Sequence, residues 1–227
     1  MDQPQQRSHL IPLAILVAGV LVSGAIVYSG KGGGRANLAA LAPESGAGPT
    51  ANVATGNNVL GNADAQVAVI EFGDYQCPFC EVFFSQIEPK IRADYVETGK
   101  AVLAFRDFAF LGAESLQAAL AAACAAEEGK FWPYHDRLYQ IEGADGKENN
   151  GNLTTAVFTS IAADLGLAVD QFSSCLSSEK YRAKVEADYE DGVAANVRGT
   201  PAVFINGKFY AGIPRTAAGQ HPADRLC

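Results

Sequence analysis

Apolar and polar positions divide the chain into stretches of different period. Leu10 to Tyr28 (LIPLAILVAGVLVSGAIVY) is uncharged and apolar on every face over nineteen residues, just long enough to cross a bilayer. From Gly30 to about Gly56 the patterning disappears, and Gly, Ala, Ser, Pro and Asn dominate, which reads as a flexible tether. Val67 to Phe72 is a short run of β-formers that breaks at Gly73-Asp74. After Cys80 the spacing of Val82, Phe83 and Ile87 turns helical, and Pro89 should kink or end that first helical segment. Gly99-Lys100 is a turn ahead of a second strand, Ala101 to Arg106. Strand, helix and strand in this order predict a parallel pair with a right-handed crossover.

Between Gly112 and about Ser178 the period is helical throughout. Ala113 to Glu128 is alanine-rich and stopped by Gly129, and Lys130 to Gln140 is aromatic with Pro133 near its first turn. Beyond a Gly/Asn/Asp-rich loop at Glu142 to Asn152, helices are expected at Thr154 to Leu165 and Val169 to Leu176, with Thr154 and Asp170 as cap candidates. Glu179 to Asn196 should form one more helix. The segment Arg198 to Tyr210 reads as a strand, an Asn206-Gly207 hairpin turn and a second strand.

At 227 residues the chain has room for one domain and an N-terminal appendage. The expected division is a short segment 1–9, an anchor or signal at 10–28, a linker at 29–57 and a folded domain at 58–212 whose helical insertion occupies about 112–178. The tail 213–227, with two prolines and a glycine, leaves no room for a long amphipathic helix, as a natural short end or an altered reading frame near Ile213 would explain. The net charge of −8, with acidic residues dispersed and no basic cluster, argues against a nucleic-acid partner. The run 10–28 is followed by no well-placed Ala-x-Ala, which favours an uncleaved membrane anchor over a cleaved signal peptide. Arg7 before it and Lys31 and Arg35 after it leave the orientation open. The KGGGR that follows lacks the strand and the Lys-Ser/Thr pattern of a phosphate loop.

Chemistry enters with Cys77-Pro78-Phe79-Cys80, between the first strand and its helix. A cysteine in the first turn of a helix meets unpaired N–H groups and the positive end of the dipole, which favour its thiolate. One turn further in, Cys80 can close a small disulfide with it. Cys77 is thus the expected nucleophile and Cys80 the resolving thiol. Zinc would need two more ligands, but Cys124, Cys175 and Cys227 stand apart and His9, His135 and His221 are scattered, so neither a metal nor another cofactor is called for. A purely structural disulfide remains the plainer alternative for Cys77 and Cys80. His135 has no sequence link to Cys77 and reads as a structural or surface histidine.

The segment EFGDYQCPFC resembles the active-site region of the DsbA-like thiol–disulfide oxidoreductases, and the likeness spans roughly Asn58 to Gly212. It implies an α/β class, a thioredoxin-like fold with an inserted helical subdomain, here preceded by one N-terminal transmembrane helix. It further implies that Pro201 is a cis proline beside the redox pair and that Thr200 before it binds substrate backbone, with Pro78 and Phe79 lining the same surface. Glu71, six residues before Cys77, matches a buried acid of the family and would exchange protons with Cys80; a solvated strand residue is the plainer reading. Asp74 and Tyr75 would shape the loop. Phe79 stands where the most oxidising relatives carry a histidine and supplies no cation to the thiolate. Cys124 and Cys175 correspond to a structural disulfide of some relatives, with two separate buried thiols as the alternative. Cys227 would then be the odd thiol.

The function so implied is the introduction of disulfides into extracytoplasmic proteins through Cys77 and Cys80. Its partners would be cysteine-containing substrate proteins, a membrane redox partner that resets the disulfide, and the membrane itself through the N-terminal helix. The catalytic domain would face the periplasm or cell surface, or be a secreted periplasmic form if the N-terminal segment is cleaved. The same site run as a reductase or isomerase, and a chaperone-like polypeptide-binding module, are the rival readings.

Overall fold

The structure, a computed structural model, describes residues 58–144 and 147–211. The apolar run 10–28, the linker, the tail 213–227 and Cys227 lie outside the described residues, and among the described residues no helix is long and apolar enough to cross a membrane.

Among the described residues five strands form one mixed sheet in the order β1-β3-β2-β4-β5. β2 (Val67–Gly73) runs parallel to β3 (Ala101–Asp107), in register from Val67↔Ala101 to Gly73↔Asp107. β4 (Ala202–Ile205) lies antiparallel to β2 and turns through Asn206-Gly207, both at positive φ, into β5 (Lys208–Ala211). On the other flank β1 (Val59–Gly61) pairs antiparallel with β3. No strand is expected there from the sequence, because pairing with a distant strand leaves no local period in so short a segment.

Between β2 and β3 run α1 (Pro78–Gln86), the short α2 (Glu88–Ile91) with Pro89 in its first turn, and a π-helical turn, Arg92–Val96. The insertion holds α3 (Ala113–Ala126), α4 (Phe131–Glu142), α5 (Thr155–Asp164) and α6 (Val169–Ser177). Thr154 caps α5 by accepting from the Val157 N–H, as its position suggested. Asp170 does not cap α6: Ala168 holds that place and Asp170 sits in the first turn, where its charge complements the helix dipole. The last helix of the described residues, α7 (Arg182–Ala194), begins three residues later than its pattern suggested, since Glu179 takes a positive φ and the chain turns there.

Successive residues of β2 point to opposite faces. Val69 and Glu71 face the larger core, shared with α1 and the insertion, whereas Ile70 and Phe72 face a smaller one with Val102, Ala104, Phe108 and Phe204. Glu71 is therefore a carboxyl aimed into the main apolar interior. α7 is tied to the end of β3 by Lys184, which reaches Asp107 at 2.6 Å and Asp188 at 2.7 Å, and by Arg106 to Asp188 at 2.9 Å. It comes close enough to the sheet that a Cβ on Gly192 would meet the Phe108 ring at 2.6 Å.

Candidate active site

The break of β2 at Gly73 delivers the chain to a loop organised by one carboxylate. Asp74 accepts from the Gln76 N–H at 2.9 Å and from the Phe110 and Leu111 N–H groups at 2.9 and 3.1 Å, so it fixes both the approach to the cysteines and the loop after β3. Gln76 extends that hold into the insertion: its amide donates to Glu114 at 3.0 Å and accepts from the Asn149 N–H at 2.8 Å. Cys77 is then the N-cap of α1, with extended backbone, and Pro78 opens the helix where its missing N–H costs nothing.

The two thiols are reduced and buried but unlike. Cys77 lies at the helix start, and its Sγ donates to the Thr200 carbonyl at 3.3 Å, just before the cis Thr200-Pro201 bond. The Cys80 thiol chiefly, then the Thr200 hydroxyl and the N–H groups of Cys80 and Phe79, favour the Cys77 thiolate against the cost of burial and bring its pKa down to about 7. Cys80 has no solvent exposure, and burial followed by its bond to Cys77 pushes its thiol well above the ordinary value. Phe79, between them, is 44% exposed and forms part of the outer surface. Thus Cys77, Cys80, Thr200, Pro201 and Pro78 meet at one place, with the Glu71 carboxyl on the core side of the sheet. Cys124 and Cys175 do not belong there; they are joined by a disulfide between α3 and α6 with Cα atoms 5.9 Å apart.

A sequence model of the family described as thioredoxin matches residues 54–220. Over 156 residues the chain is 33% identical to disulfide bond formation protein D of Bacillus subtilis, covering 67% of this chain and 69% of that protein. It is 32% identical to the probable disulfide bond formation protein D of Bacillus anthracis, covering 65% and 69%. The oxidised BdbD structure from Bacillus subtilis superposes with a TM-score of 0.63 at 32% identity, over 67% of this chain and 83% of that one. The chain belongs to the DsbA-like family. It is a thiol–disulfide oxidoreductase with the thioredoxin-like fold. Alpha-DsbA1 of Wolbachia pipientis, at 23% identity and a TM-score of 0.58 over 68% of this chain and 79% of that one, shares the fold.

Beneath the cysteines this family member carries a polar cluster, part buried and part at the surface, that sequence reasoning missed apart from Glu71 and His135. Glu71 is buried with Oε1 unpartnered, and burial first, then the charges of Glu88 and Cys77, hold its carboxyl well above the usual range despite the opposing pull of Arg92. Glu88, on α2, accepts from Arg92 Nε at 2.7 Å, and Arg92 grips both oxygens of Asp136 at 2.9 and 2.8 Å. Asp136 also meets His135 Nδ1 at 2.9 Å. His135 is fully buried among the rings of Tyr75, Phe84, Phe105 and Tyr139, a structural histidine as the sequence suggested. Glu88, His135 and Asp136 place potential ligand atoms within 4.8 Å of one another. The Arg92 guanidinium already binds both carboxylates, so the cluster contains its own cation. Glu88 and Arg92 stand at the i,i+4 spacing of a helical ion pair. Asp136 lies forty-four residues from Arg92, beyond any local pattern.

Proposed function

We propose that this enzyme introduces disulfides into cysteine-containing proteins outside the cytoplasm. The observation that carries the reading is the inequality of the two thiols: Cys77 sits at a helix start with a pKa of about 7, and Cys80 is buried behind it with its thiol pushed up. Such a pair makes one sulfur the better thiolate, at the helix start, and hides the other behind it. The naming of the Bacillus relatives as disulfide bond formation proteins supports the oxidising direction.

In that direction a substrate thiolate attacks Cys77 Sγ of the Cys77–Cys80 disulfide, and the electron pair of the broken S–S bond passes to Cys80. The protonated Glu71, buried on the Cys80 side of the sheet, gives Cys80 its proton. The substrate's second thiolate then attacks its own sulfur in the mixed disulfide, leaving as product a substrate disulfide and releasing Cys77 as a favoured thiolate. Two electrons remain on the enzyme, to be taken by a membrane redox partner. The Thr200 carbonyl and cis Pro201 flank the reacting sulfur and hold the substrate backbone beside it. The apolar run 10–28 tethers the domain to the membrane with its catalytic part outside.

One feature favours the reverse direction: Phe79 brings no cation to the Cys77 thiolate, which weakens the oxidising power. Stoichiometric oxidised enzyme mixed with a reduced peptide dithiol separates the two. Conversion to the peptide disulfide, with a trapped enzyme–peptide adduct in Cys80→Ala, supports an oxidase. An inert dithiol together with rapid reduction of a peptide disulfide by the dithiol enzyme would establish the reductase instead. A polypeptide-binding module would do neither.

A further inference from the structure

Gln76, the residue before the nucleophile, has no part in the exchange just described, yet its side chain is buried and both ends of its amide are used. Nε2 donates to Glu114 Oε2 at 3.0 Å, and Oε1 accepts from the Asn149 N–H at 2.8 Å. Its backbone N–H is held by Asp74 Oδ1 at 2.9 Å, and the next N–H, that of Cys77, by the Asp74 carbonyl at 3.0 Å. Gln76 thus has its main chain in the catalytic loop and its side chain bonded to the insertion. Glu114, in the first turn of α3, is the hub on the far side. It accepts three donors: Gln76 Nε2, the Gly151 N–H at 2.8 Å and the Leu153 N–H at 3.3 Å. The chain closes round this junction with little slack. Asn149 and Gly151 take positive φ, the Asn149 amide donates to the Leu111 carbonyl, and a Cβ on Gly112 would lie 2.3 Å from Asn149 Oδ1.

We propose that Gln76 and Glu114 are positioning residues for Cys77, fixing the start of α1 so that Sγ stays beside Thr200 and the N–H groups of the first turn. The inference rests on Cys77 being the attacked sulfur, in whichever direction the exchange runs. A buried amide keeps its bonds, because losing either leaves a polar group unpaired away from water. The catalytic loop and the loop that holds Asn149, Gly151 and Leu153 are therefore fixed to each other through one side chain. One peptide bond separates Gln76 from Cys77, so drift at the amide passes directly to the sulfur. The Sγ contact with the Thr200 carbonyl, at 3.3 Å, does not survive an ångström of drift.

The test is the pH profile of Cys77 alkylation by iodoacetamide in the reduced full chain, with Cys77 and Cys80 counted separately by mass spectrometry. Gln76→Met keeps the volume and removes donor and acceptor alike. It should slow Cys77 about threefold at about pH 6, an upward shift of the midpoint by about half a pH unit. The Cys80 thiol, the Thr200 hydroxyl and the N–H groups of Cys80 and Phe79, which favour the thiolate, are unaltered by the substitution, so the shift reports displacement. Glu114→Gln presents an NH2 group to an N–H whichever way it turns, and should move the midpoint in the same direction. Added to Gln76→Met it should change nothing further, because Gln76 is its route to Cys77. Phe172→Leu, which loosens the insertion core against Tyr134, should lower Tm and leave the profile in place. If Gln76→Met does not fold, Glu114→Gln set against Phe172→Leu still decides. A loss smaller than about twofold in Gln76→Met, additive losses in the double variant, or an equal shift in Phe172→Leu would overturn the proposal. Faster labelling of Cys80 than of Cys77 in the parent would overturn the assignment of the attacked sulfur, and the proposal with it.

Discussion

Two cysteine pairs sit in two regions of one molecule and are built for opposite ends. In the sheet region, Cys77 and Cys80 are a helical turn apart, both reduced, with one thiol acidified and the other pushed up. In the helical insertion, Cys124 and Cys175 are 51 residues apart and joined, fastening α3 to α6. The long loop restricts the unfolded chain strongly, whereas the short one hardly restricts it at all. The surroundings differ to match. Around Cys124 the α3 residues Leu120 to Ala123 and Ala125 are apolar and buried, a setting that gives a thiolate nothing. Around Cys77 stand helix N–H groups, a hydroxyl, a carbonyl and a buried acid. On the proposed function, what separates a reactive pair from a structural one is less the sulfur than the polar groups aimed at it.

The largest expected effect is on turnover. Cys77→Ser should reduce peptide-dithiol oxidation to background, whereas Cys124→Ala with Cys175→Ala should keep most of the rate; equal losses in the two would erase the distinction. Next comes stability. The same double variant should lose about 4 kcal/mol by the chain-entropy account, or roughly 8–16 °C in Tm, while reducing Cys77–Cys80 should not lower stability comparably. Calorimetry of the oxidised parent, the reduced parent and the double variant gives both numbers.

A smaller effect concerns the acidity of Cys77. Because the Cys80 thiol is the foremost cause of its lowered pKa, Cys80→Ala should move Cys77 up from about 7 toward 9.0. Alkylation at about pH 6 should slow about tenfold or more. An unchanged rate would mean that the helix terminus alone sets the thiolate. The smallest is a pH slope from Glu71. Its folded-state pKa lies above the ordinary 4.5, so its contribution to stability is complete below that value and is lost as pH rises toward the folded one. Across that window Glu71→Gln should gain on the parent by up to about 1.4 kcal/mol per pH unit, as chemical denaturation at several pH values would show.

How much of this was legible in the chain follows the range of each interaction. β2, the start of α1 and the hairpin at Asn206-Gly207 announce themselves locally, through a β-rich run, a helical period and a turn dipeptide. The placement of Thr200 and Pro201 against Cys77 was expected from the family likeness, because 123 residues separate Thr200 from Cys77 and no period spans them. β1 escaped for the same reason, since its partner β3 lies some forty residues on. Asp74 was visible as a loop residue, but its hold on Phe110 and Leu111 was not. The Glu88–Arg92–Asp136 cluster was least legible: charged residues on a helical pattern ordinarily mark a solvated face, and only packing shows Glu88 turned inward.

The central claim is that the two pairs differ in redox poise because their polar surroundings differ, and one redox titration tests it. The protein would be equilibrated in dithiol–disulfide buffers of graded potential, quenched and alkylated, with each pair read separately by mass spectrometry. The account predicts a Cys77–Cys80 potential less negative than about −200 mV, and a Cys124–Cys175 bridge that stays closed below about −300 mV. Equal potentials for the two pairs, or a Cys77–Cys80 value near thioredoxin's, about −270 mV, where reductases sit, would contradict it.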